Sequence, residues 1–222
     1  MILLCLKQGL GFFPDVGTTW YLARLPHCLG VYLALTGARI NLSDCVMFGL
    51  IDYPVKHDIF PEIIYALADT SLMGDEPRNM LTEVLQPFMQ PVGSSELWSH
   101  RMEIEACFKQ KTIEDILHAL KNSSSFWIKN AEKIIRTKSP TSLKVTLHAL
   151  QEAENLDFDE CIEMEFRLCN HFLEGHDFFE GVRALLIDKD QKPHWKPDSL
   201  DGVTQRELKK YFQPIEDELP LT

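Results

Sequence analysis

A surplus of positive charge is what this 222-residue sequence most clearly lacks. Its 22 lysines and arginines stand against 33 aspartates and glutamates, which gives a formal net charge of −11 at pH 7. Nucleic-acid binding needs clustered basic side chains that neutralise phosphates. The composition therefore argues against a nucleic acid as a partner, and a large anionic ligand would depend on a few local lysines or arginines.

Closely spaced cysteine pairs are also absent. None of the six cysteines belongs to a Cys-x-x-Cys motif; they are Cys5, Cys28, Cys45, Cys107, Cys161 and Cys169. This distribution is typical of reduced structural thiols, so we expect no disulfide. The apolar opening at residues 1–6 is shorter than a signal-peptide core or a membrane span. We therefore expect a cytoplasmic protein that does not enter a membrane.

Several catalytic signatures are missing as well. No Gly-x-Ser-x-Gly nucleophile elbow occurs in the chain. The loop GLGFFPDVG (residues 9–17) has Pro14 where a dinucleotide-binding fingerprint needs its third glycine, and no Gly-Lys-Ser/Thr follows it. The loop is therefore not expected to bind a nucleotide.

The histidines and acidic residues do not form a recognisable metal motif. His171, Glu174 and His176 are out of register with a zinc-protease motif, and Gly175 would break the helix that must hold such ligands. Two Asp-x-Asp pairs lack the glycine and the final glutamate of a calcium loop. We expect no metal site.

The spacing of apolar residues predicts a mainly α fold with only two or three short strands. Five segments of the second half have apolar residues at helical spacing: 98–108, 113–122, 125–137, 139–152 and 158–173. Earlier, two helices separated by Pro26 are expected over residues 19–35, and Ser43 is expected to cap a short helix. Short apolar runs predict strands at residues 1–6 and 50–55.

Composition divides the chain into three parts. Pro77, Pro87 and Pro91 make residues 69–97 the best candidate for an irregular connection between domains. The predicted division is a first part at 1–68, this connection, and a helical region at 98–222.

Asp15 is the candidate functional residue of the first part. It lies in GFFPDVG (residues 11–17), where glycines and a proline predict a loop followed by a helix. Spacing alone allows two interpretations, a cap for that helix or an accessible carboxylate with a chemical role.

Six segments in a shared order resemble a known family. They are GFFPDVGTTWYLARLP (11–26), LALTGARI (33–40), LIDYPV (50–55), SPTSLKVTL (139–147), MEFRL (164–168) and GHDFFEGVRALLIDKDQKPHWKP (175–197). Together they resemble the C-terminal part of 3-hydroxyisobutyryl-CoA hydrolases of the crotonase superfamily. The Pro14-Asp15 pair distinguishes this branch, because ordinary enoyl-CoA hydratases usually have Pro-Gly there. The resemblance implies an N-terminally truncated chain, with part of a fold in which ββα turns precede a helical region.

The resemblance also implies a reaction, the hydrolysis of an acyl-CoA thioester in valine catabolism. Coenzyme A would enter as part of the substrate, without a separate cofactor. By this likeness Asp15 matches the family's proton-handling aspartate, and Lys189 falls where related enzymes place a basic residue near the CoA phosphates. A solvated charge at a helix end is the alternative for Lys189.

Two positions and one missing segment depart from the family pattern. Lys7 stands where the family has its glutamate, and an ammonium offers no carboxylate for catalysis. Thr18 replaces a glycine, which would alter the start of the helix or crowd the acyl pocket. The glycine-rich segment that supplies the oxyanion N–H groups belongs before the start of this chain.

Three functions therefore stay open. The first is an acyl-CoA hydrolase by descent that is inactive as this isolated chain. The second is a non-catalytic helical protein that binds a partner or forms a homo-oligomer. The third is an enoyl-CoA hydratase or isomerase activity.

Overall fold

The computed structural model describes residues 9–69, 77–219 and 221, and these are mostly helical. The thirteen α-helices found there are, in chain order, α1 (Thr18–Ala23), α2 (Leu29–Thr36), α3 (Leu42–Met47), α4 (Phe60–Asp69), α5 (Pro77–Leu85), α6 (Glu96–Ser99), α7 (Arg101–Phe108), α8 (Ile113–Asn122), α9 (Phe126–Ile135), α10 (Pro140–Ala153), α11 (Phe158–Glu174), α12 (Asp177–Val182) and α13 (Gln205–Tyr211). Short 3-10 turns occur at Pro26–Cys28, His57–Ile59, Gln86–Phe88 and Leu200–Gly202, and a π turn at Arg183–Ile187. The prediction of a mainly α chain is confirmed.

The predicted strand at residues 50–55 is wrong. This segment consists of bends and irregular backbone, and Val55 forms only an isolated antiparallel bridge with Met89. The Pro54 carbonyl accepts the N–H of Gln90 at 2.8 Å, but a proline has no N–H with which to continue a ladder. An apolar run forms a β-strand only when a second strand pairs with it. In the part of the chain that the structure describes, no strand lies beside residues 50–55. The strand predicted at 1–6 lies outside that part.

Helices with strong local signals agree well with the predictions. α8 has the predicted bounds, and α10 and α11 differ from theirs by a residue. Ser139 caps α10 as predicted, since its Oγ accepts the N–H of Ser142 at 3.0 Å. The helix predicted at 98–108 is instead two, α6 and α7.

The predicted cap of α3, Ser43, is wrong. Asn41, not Ser43, accepts the N–H of Asp44 at 2.9 Å, and the Asp44 carboxylate accepts the N–H of Asn41 at 2.9 Å. This reciprocal capping box places the cap two residues before the predicted one, and α3 begins at Leu42.

Chain contacts separate the described residues into two compact units, 40–69 with 77–99, and 9–39 with 100–219. Residues 77–97, predicted to be an irregular connection, include α5 and belong to the same unit as 40–68. The division into 1–68, 69–97 and 98–222 groups the chain differently and stays a prediction.

The smaller unit is organised around a buried polar contact between α3 and α6. The carboxylate of Asp44, 4% exposed, accepts the hydroxyl of Ser95 at 2.6 Å. The same hydroxyl oxygen accepts the N–H of Trp98 at 2.9 Å, and the Trp98 ring meets Phe48 edge-on at 5.1 Å. One serine therefore both caps α6 and fixes it to α3.

The larger unit is built around α10, which contacts α1, α2, α8 and α13. Ten of its fourteen residues are buried, as expected for a helix enclosed by others. No helix among the described residues is both long and apolar enough to cross a membrane.

Aromatic residues connect the GFFPDVG loop to this core. Phe12 and Phe13 are 5% and 0% exposed, and both rings contact Phe172, with centroids at 5.2 and 5.4 Å. Phe178 of α12 meets Phe12 at 5.0 Å. The loop that carries Asp15 is therefore anchored in the core immediately before the aspartate.

The C-terminal motif places its apolar residues on both sides of the surface. Phe178 packs against the core, whereas Phe179 and Leu186 are 56% and 58% exposed. Asp177 is the first residue of α12, and His176 holds the cap position. The five described cysteines are free thiols, three of them buried.

Candidate functional site

Asp15 lies, as predicted, on a loop at the start of a helix. It is partly exposed, and its carbonyl accepts the N–H of Thr18 at 3.2 Å and also the Thr18 hydroxyl. These contacts close a turn that leads directly into α1. The location is confirmed, and the catalytic role of Asp15 stays a prediction.

The departure at Thr18 is accommodated by this turn. Thr18 is the first residue of α1, and its hydroxyl donates to the same Asp15 carbonyl as its N–H does. A threonine in place of a glycine thus adds a hydrogen bond to the helix start instead of disrupting it. The crowding of an acyl pocket by the Thr18 side chain stays a prediction.

The backbone between Asp15 and α1 is in an unusual conformation. Val16 and Gly17 have φ angles of 61° and 77°, and Val16 is 84% exposed. A β-branched residue with positive φ is rare and strained. At Gly17 a side chain is also excluded by space, because a Cβ there would lie 2.7 Å from the Phe158 ring. The loop conformation therefore requires support from the surrounding structure.

That support comes from Glu165 on α11, a residue that sequence reasoning missed. Its carboxylate accepts the N–H of Gly17 at 2.7 Å, the N–H of Thr19 at 3.0 Å and the Thr19 hydroxyl at 2.5 Å. Glu165 is 4% exposed. The first turn of α1 is thus capped by a side chain from another helix.

Burial raises the pKa of Glu165 above its ordinary value. The hydrogen bonds from Thr19 and Gly17 lower this pKa, and the negative charge of Asp15 raises it further. Desolvation is the largest of these effects, so the three donors offset only part of the cost of burying the charge.

A sequence signal for Glu165 does exist. Cys161, Glu165, Leu168 and Phe172 follow helical spacing and are all buried on the core-facing side of α11. A glutamate on an apolar stripe is unusual, because buried carboxylates need partners. The signal identifies Glu165 as special without naming the partners.

Lys189 is exposed, in a turn whose charges are organised by Arg183. The Arg183 guanidinium binds Glu180 at 2.8 Å, Asp188 at 2.7 Å and Asp190 at 2.8 Å. The hydrogen bonds from Arg183 are the largest of the causes that lower the pKa of Glu180 to about 2. Lys189 itself has a positive φ of 58°.

Formal charges in this turn cancel. Arg183, Lys189 and Lys192 carry three positive charges, and Glu180, Asp188 and Asp190 carry three negative ones. Attraction of a phosphate would therefore depend on individual lysines, Lys189 and Lys192, and not on a patch of net positive charge. Its role toward CoA stays a prediction.

The two sequence motifs singled out above pack against each other. A Cβ added to Gly11 would lie 2.6 Å from the Asp177 carbonyl and 2.9 Å from the Trp195 ring, and one added to Gly9 would lie 3.1 Å from Leu185. Residues 9–11 therefore contact the C-terminal motif closely. Lys7, at the position of the family's glutamate, lies outside the described residues.

A cavity of about 660 Å³ is a second candidate for a binding site. It is lined by residues of α8, the start of α10 and the segment around Trp195, and by Lys138, whose pKa is lowered by burial. Neither Asp15 nor Lys189 lines it. Among the described residues, no group of three His, Cys, Asp or Glu side chains is arranged to hold a metal.

Comparison with known proteins identifies the family. Residues 7–212 match the enoyl-CoA hydratase/isomerase family, so the chain belongs to it. Among curated relatives, it is 38% identical over 213 residues to "3-hydroxyisobutyryl-CoA hydrolase, mitochondrial" of Rattus norvegicus, covering 94% of this chain and 55% of that protein. The protein of the same name from Homo sapiens is 37% identical over 215 residues with the same coverage. The resemblance to 3-hydroxyisobutyryl-CoA hydrolases is therefore confirmed.

Solved structures support the fold assignment. A carnitinyl-CoA dehydratase from Mycobacterium thermoresistibile has a TM-score of 0.82 and 33% identity, covering 96% of this chain and 59% of that one. An enoyl-CoA hydratase from Rhodobacter sphaeroides 2.4.1 has a TM-score of 0.79 and 30% identity, covering 94% of this chain and 58% of that one. The chain spans only a little over half the length of these proteins and of its curated relatives.

The expectation of a cytoplasmic protein is wrong. The matched hydrolases from rat, mouse, human and Xenopus laevis are all named as mitochondrial. Composition and cysteine spacing distinguish reducing from oxidising compartments and carry no signal that separates cytosol from mitochondrion.

Proposed function

We propose that this chain represents an acyl-CoA thioester hydrolase of the 3-hydroxyisobutyryl-CoA hydrolase type, located in mitochondria and acting in valine catabolism. The observation that carries the proposal is its 38% identity to the rat hydrolase across 94% of its length. Pro14-Asp15 supports the hydrolase branch over the hydratases. Asp15 is held at a defined turn and partly exposed, as a proton-transferring carboxylate must be.

Thioester hydrolysis has requirements that these 222 residues meet only in part. Water must add to the acyl carbonyl, the resulting oxyanion must be stabilised, and the C–S bond must break as the CoA sulfur leaves and is protonated. Asp15 serves the proton transfers in this proposal. Lys7 stands at the position of the family's glutamate and provides no second carboxylate.

The isolated chain is therefore proposed to turn over no measurable substrate. The glycine-rich segment that donates N–H groups to the oxyanion in the family is not among these residues. Removal of a single oxyanion donor costs about 10²–10³ in rate. Loss of both donors and the glutamate leaves Asp15 without the groups that it would assist.

A thiol-release assay with 3-hydroxyisobutyryl-CoA tests the proposal. The chain is assayed alone and with the upstream half of a relative added in trans, each with wild-type Asp15 and with Asp15→Asn. Turnover only in the complemented sample, abolished by Asp15→Asn, is the expected result. Turnover in the complemented sample that survives Asp15→Asn would overturn the role of Asp15.

The assay also separates the other functions. The hydratase alternative is tested with crotonyl-CoA. Its hydration is measured as the loss of the ultraviolet absorbance of the double bond. The non-catalytic alternative is favoured by one observation: Val16, Tyr21 and Phe158, which are 84%, 55% and 41% exposed, form apolar surface around the Asp15 loop. Self-association that is lost in Tyr21→Ser, without thioesterase activity in any sample, would support it.

A further inference from the structure

Glu165 is a buried carboxylate that joins two distant parts of the chain. Its Oε2 accepts the N–H of Gly17 at 2.7 Å, while Oε1 accepts both the N–H of Thr19 at 3.0 Å and the Thr19 hydroxyl at 2.5 Å. Gly17 and Thr19 lie on either side of the first residue of α1. The carboxylate therefore holds the backbone on both sides of this helix start.

A carboxylate at this position is costly and is not required for helix formation alone. Glu165 is 4% exposed, and burial of a charge is unfavourable unless hydrogen bonds compensate. Helix starts are commonly capped by a local serine, threonine or aspartate, as Ser139 caps α10. At α1 the same donors are satisfied from α11, which fixes where the helix start lies as well as capping it.

The hydrogen bonds that the Glu165 carboxylate accepts lie where the backbone is most strained. Val16 and Gly17 both have positive φ angles, and they connect Asp15 to the first turn of α1. Gly17 accepts this conformation readily, but Val16 does not. A hydrogen bond to the N–H of Gly17 directly stabilises the strained pair, and so it determines the direction in which the Asp15 backbone enters the turn.

Asp15 and Glu165 also interact through their charges. The charge of Asp15 is one of the causes that raise the pKa of Glu165. Glu165 is buried, whereas Asp15, at the start of the turn that Glu165 holds, is partly exposed.

We propose that Glu165 is a positioning residue for Asp15: its carboxylate holds the strained turn at residues 15–19 against α11 and thereby fixes the orientation of Asp15. The proposal rests on the proposed function of Asp15. Its structural content, a turn held in place by one distant carboxylate, can be tested without turnover.

The first experiment measures the order of the loop in the full 222-residue chain by NMR. In Glu165→Gln, one carboxylate oxygen becomes an NH₂ group that faces N–H donors, so the order parameters of the amides of Asp15, Val16 and Gly17 should fall from about 0.85 to below about 0.6. Glu174→Gln, on the same helix with a side chain that is 82% exposed, is the matched control and should leave them unchanged. Unchanged loop order in a folded Glu165→Gln chain would overturn the proposal.

Thr19→Val provides a milder variant, should Glu165→Gln not fold. It removes only the hydroxyl donor to Oε1 and keeps both backbone hydrogen bonds. We expect a smaller loss of order confined to the same amides. A loss spread over all of α11, with the loop no more affected than the rest, would instead show a general packing role and would contradict the proposal.

The second experiment measures the coupling between the carboxylates. In Asp15→Asn the pKa of Glu165, followed by its carboxyl ¹³C shift, should fall because a neighbouring negative charge has been removed. An unchanged pKa would show that the two groups are not in contact electrostatically and would count against the proposal.

The last experiment connects the inference to activity. In the complemented thioesterase assay, Glu165→Gln should lower kcat about tenfold or more with little change in KM, whereas the Glu174→Gln control should leave kcat unchanged. An unchanged kcat in Glu165→Gln would show that Glu165 does not act through Asp15. If instead Asp15→Asn alone leaves turnover intact, the proposed function fails while the two NMR experiments still decide whether Glu165 holds the turn.

Discussion

Ser139 and Asp177 are joined by a buried hydrogen bond in which the Ser139 hydroxyl donates to Asp177 Oδ2 at 2.5 Å. The same serine oxygen accepts the N–H of Ser142 and so caps α10, while Asp177 Oδ1 accepts the N–H of Lys196 at 2.8 Å. The pair thus connects the first turn of α10, the first turn of α12 and the chain beyond α12. Both residues are buried, at 0% and 5% exposure.

Replacement of Ser139 by alanine should destabilise the protein by roughly 2–3 kcal/mol. The change removes a helix cap, worth about 1 kcal/mol, and leaves the buried Asp177 carboxylate without one of its donors. Urea unfolding of Ser139→Ala, Asp177→Asn and the double variant measures the coupling. Ser199→Ala is the control, because Ser199 also precedes a helical turn but caps it with no side-chain hydrogen bond. A loss no larger than that of the control would contradict the proposed link.

Gly17→Ala should cost more stability than Gly49→Ala. Both glycines have nearly the same positive φ, 77° and 75°, so both variants incur the strain of a left-handed alanine, about 1–2 kcal/mol. A Cβ at Gly17 would also lie 2.7 Å from the Phe158 ring, whereas one at Gly49 would meet nothing within 4 Å. We expect about 1 kcal/mol of additional loss at Gly17, measured by chemical denaturation and reduced by a second change, Phe158→Leu. Equal losses would show that the loop relaxes away from the ring.

Lys138→Met should stabilise the protein at neutral pH. Burial lowers the pKa of Lys138, which lines the 660 Å³ cavity, and no ion pair to it is seen in the described part of the chain. A lysine whose pKa is lower in the folded protein than in the unfolded chain reduces the free energy of unfolding while it is charged. The free energy of unfolding of the wild type therefore rises as the pH increases from the pKa of the folded state toward the pKa of the unfolded state. Lys138→Met should remove that rise and gain roughly 0.5–1 kcal/mol at pH 7. Exposed Lys133→Met serves as the control, and the same gain there would refute the argument from burial.

The phenol of Tyr211 should ionise at a higher pH than an ordinary tyrosine. Burial is the largest of the causes that raise the pKa of Tyr211 to about 12, and the negative charges of Asp177 and Glu207 raise it as well. Because the folded pKa is raised, the related stability is fully present below the unfolded pKa near 10 and is lost as the pH rises toward 12. An absorbance titration should show a late tyrosine transition, and Tyr211→Phe should reduce its amplitude by one tyrosine. A late transition of unchanged amplitude in Tyr211→Phe would contradict the assignment to Tyr211.

Lys189→Ala should weaken the binding of CoA by no more than about fivefold. Lys189 is exposed, and an exposed ion pair contributes about 0.2–1 kcal/mol. The three carboxylates around Arg183 balance the three positive charges of the turn, so no net positive patch adds to the contact. Calorimetric titration with CoA, with Lys192→Ala as the matched control, measures the effect. Equal weakening by both variants would indicate a general charge effect rather than a contact at Lys189.

Features that depend on neighbouring residues were accessible from the sequence alone. The bounds of α8, α10 and α11 follow from apolar spacing and from local caps such as Ser139, both of which act within a few residues. The order of short motifs was sufficient to indicate the family. The position of Asp15 on a loop at a helix start follows from the glycines and the proline around it.

Features that depend on distant partners were decided only by the tertiary structure. An apolar run at residues 50–55 has the composition of a strand, but a strand exists only where a second one pairs with it. Glu165 is 148 residues from Gly17 in sequence, and no local pattern specifies which backbone N–H groups a buried carboxylate will meet. Helical periodicity is a property of one segment, whereas the support of the Asp15 turn exists only once α11 has packed against α1.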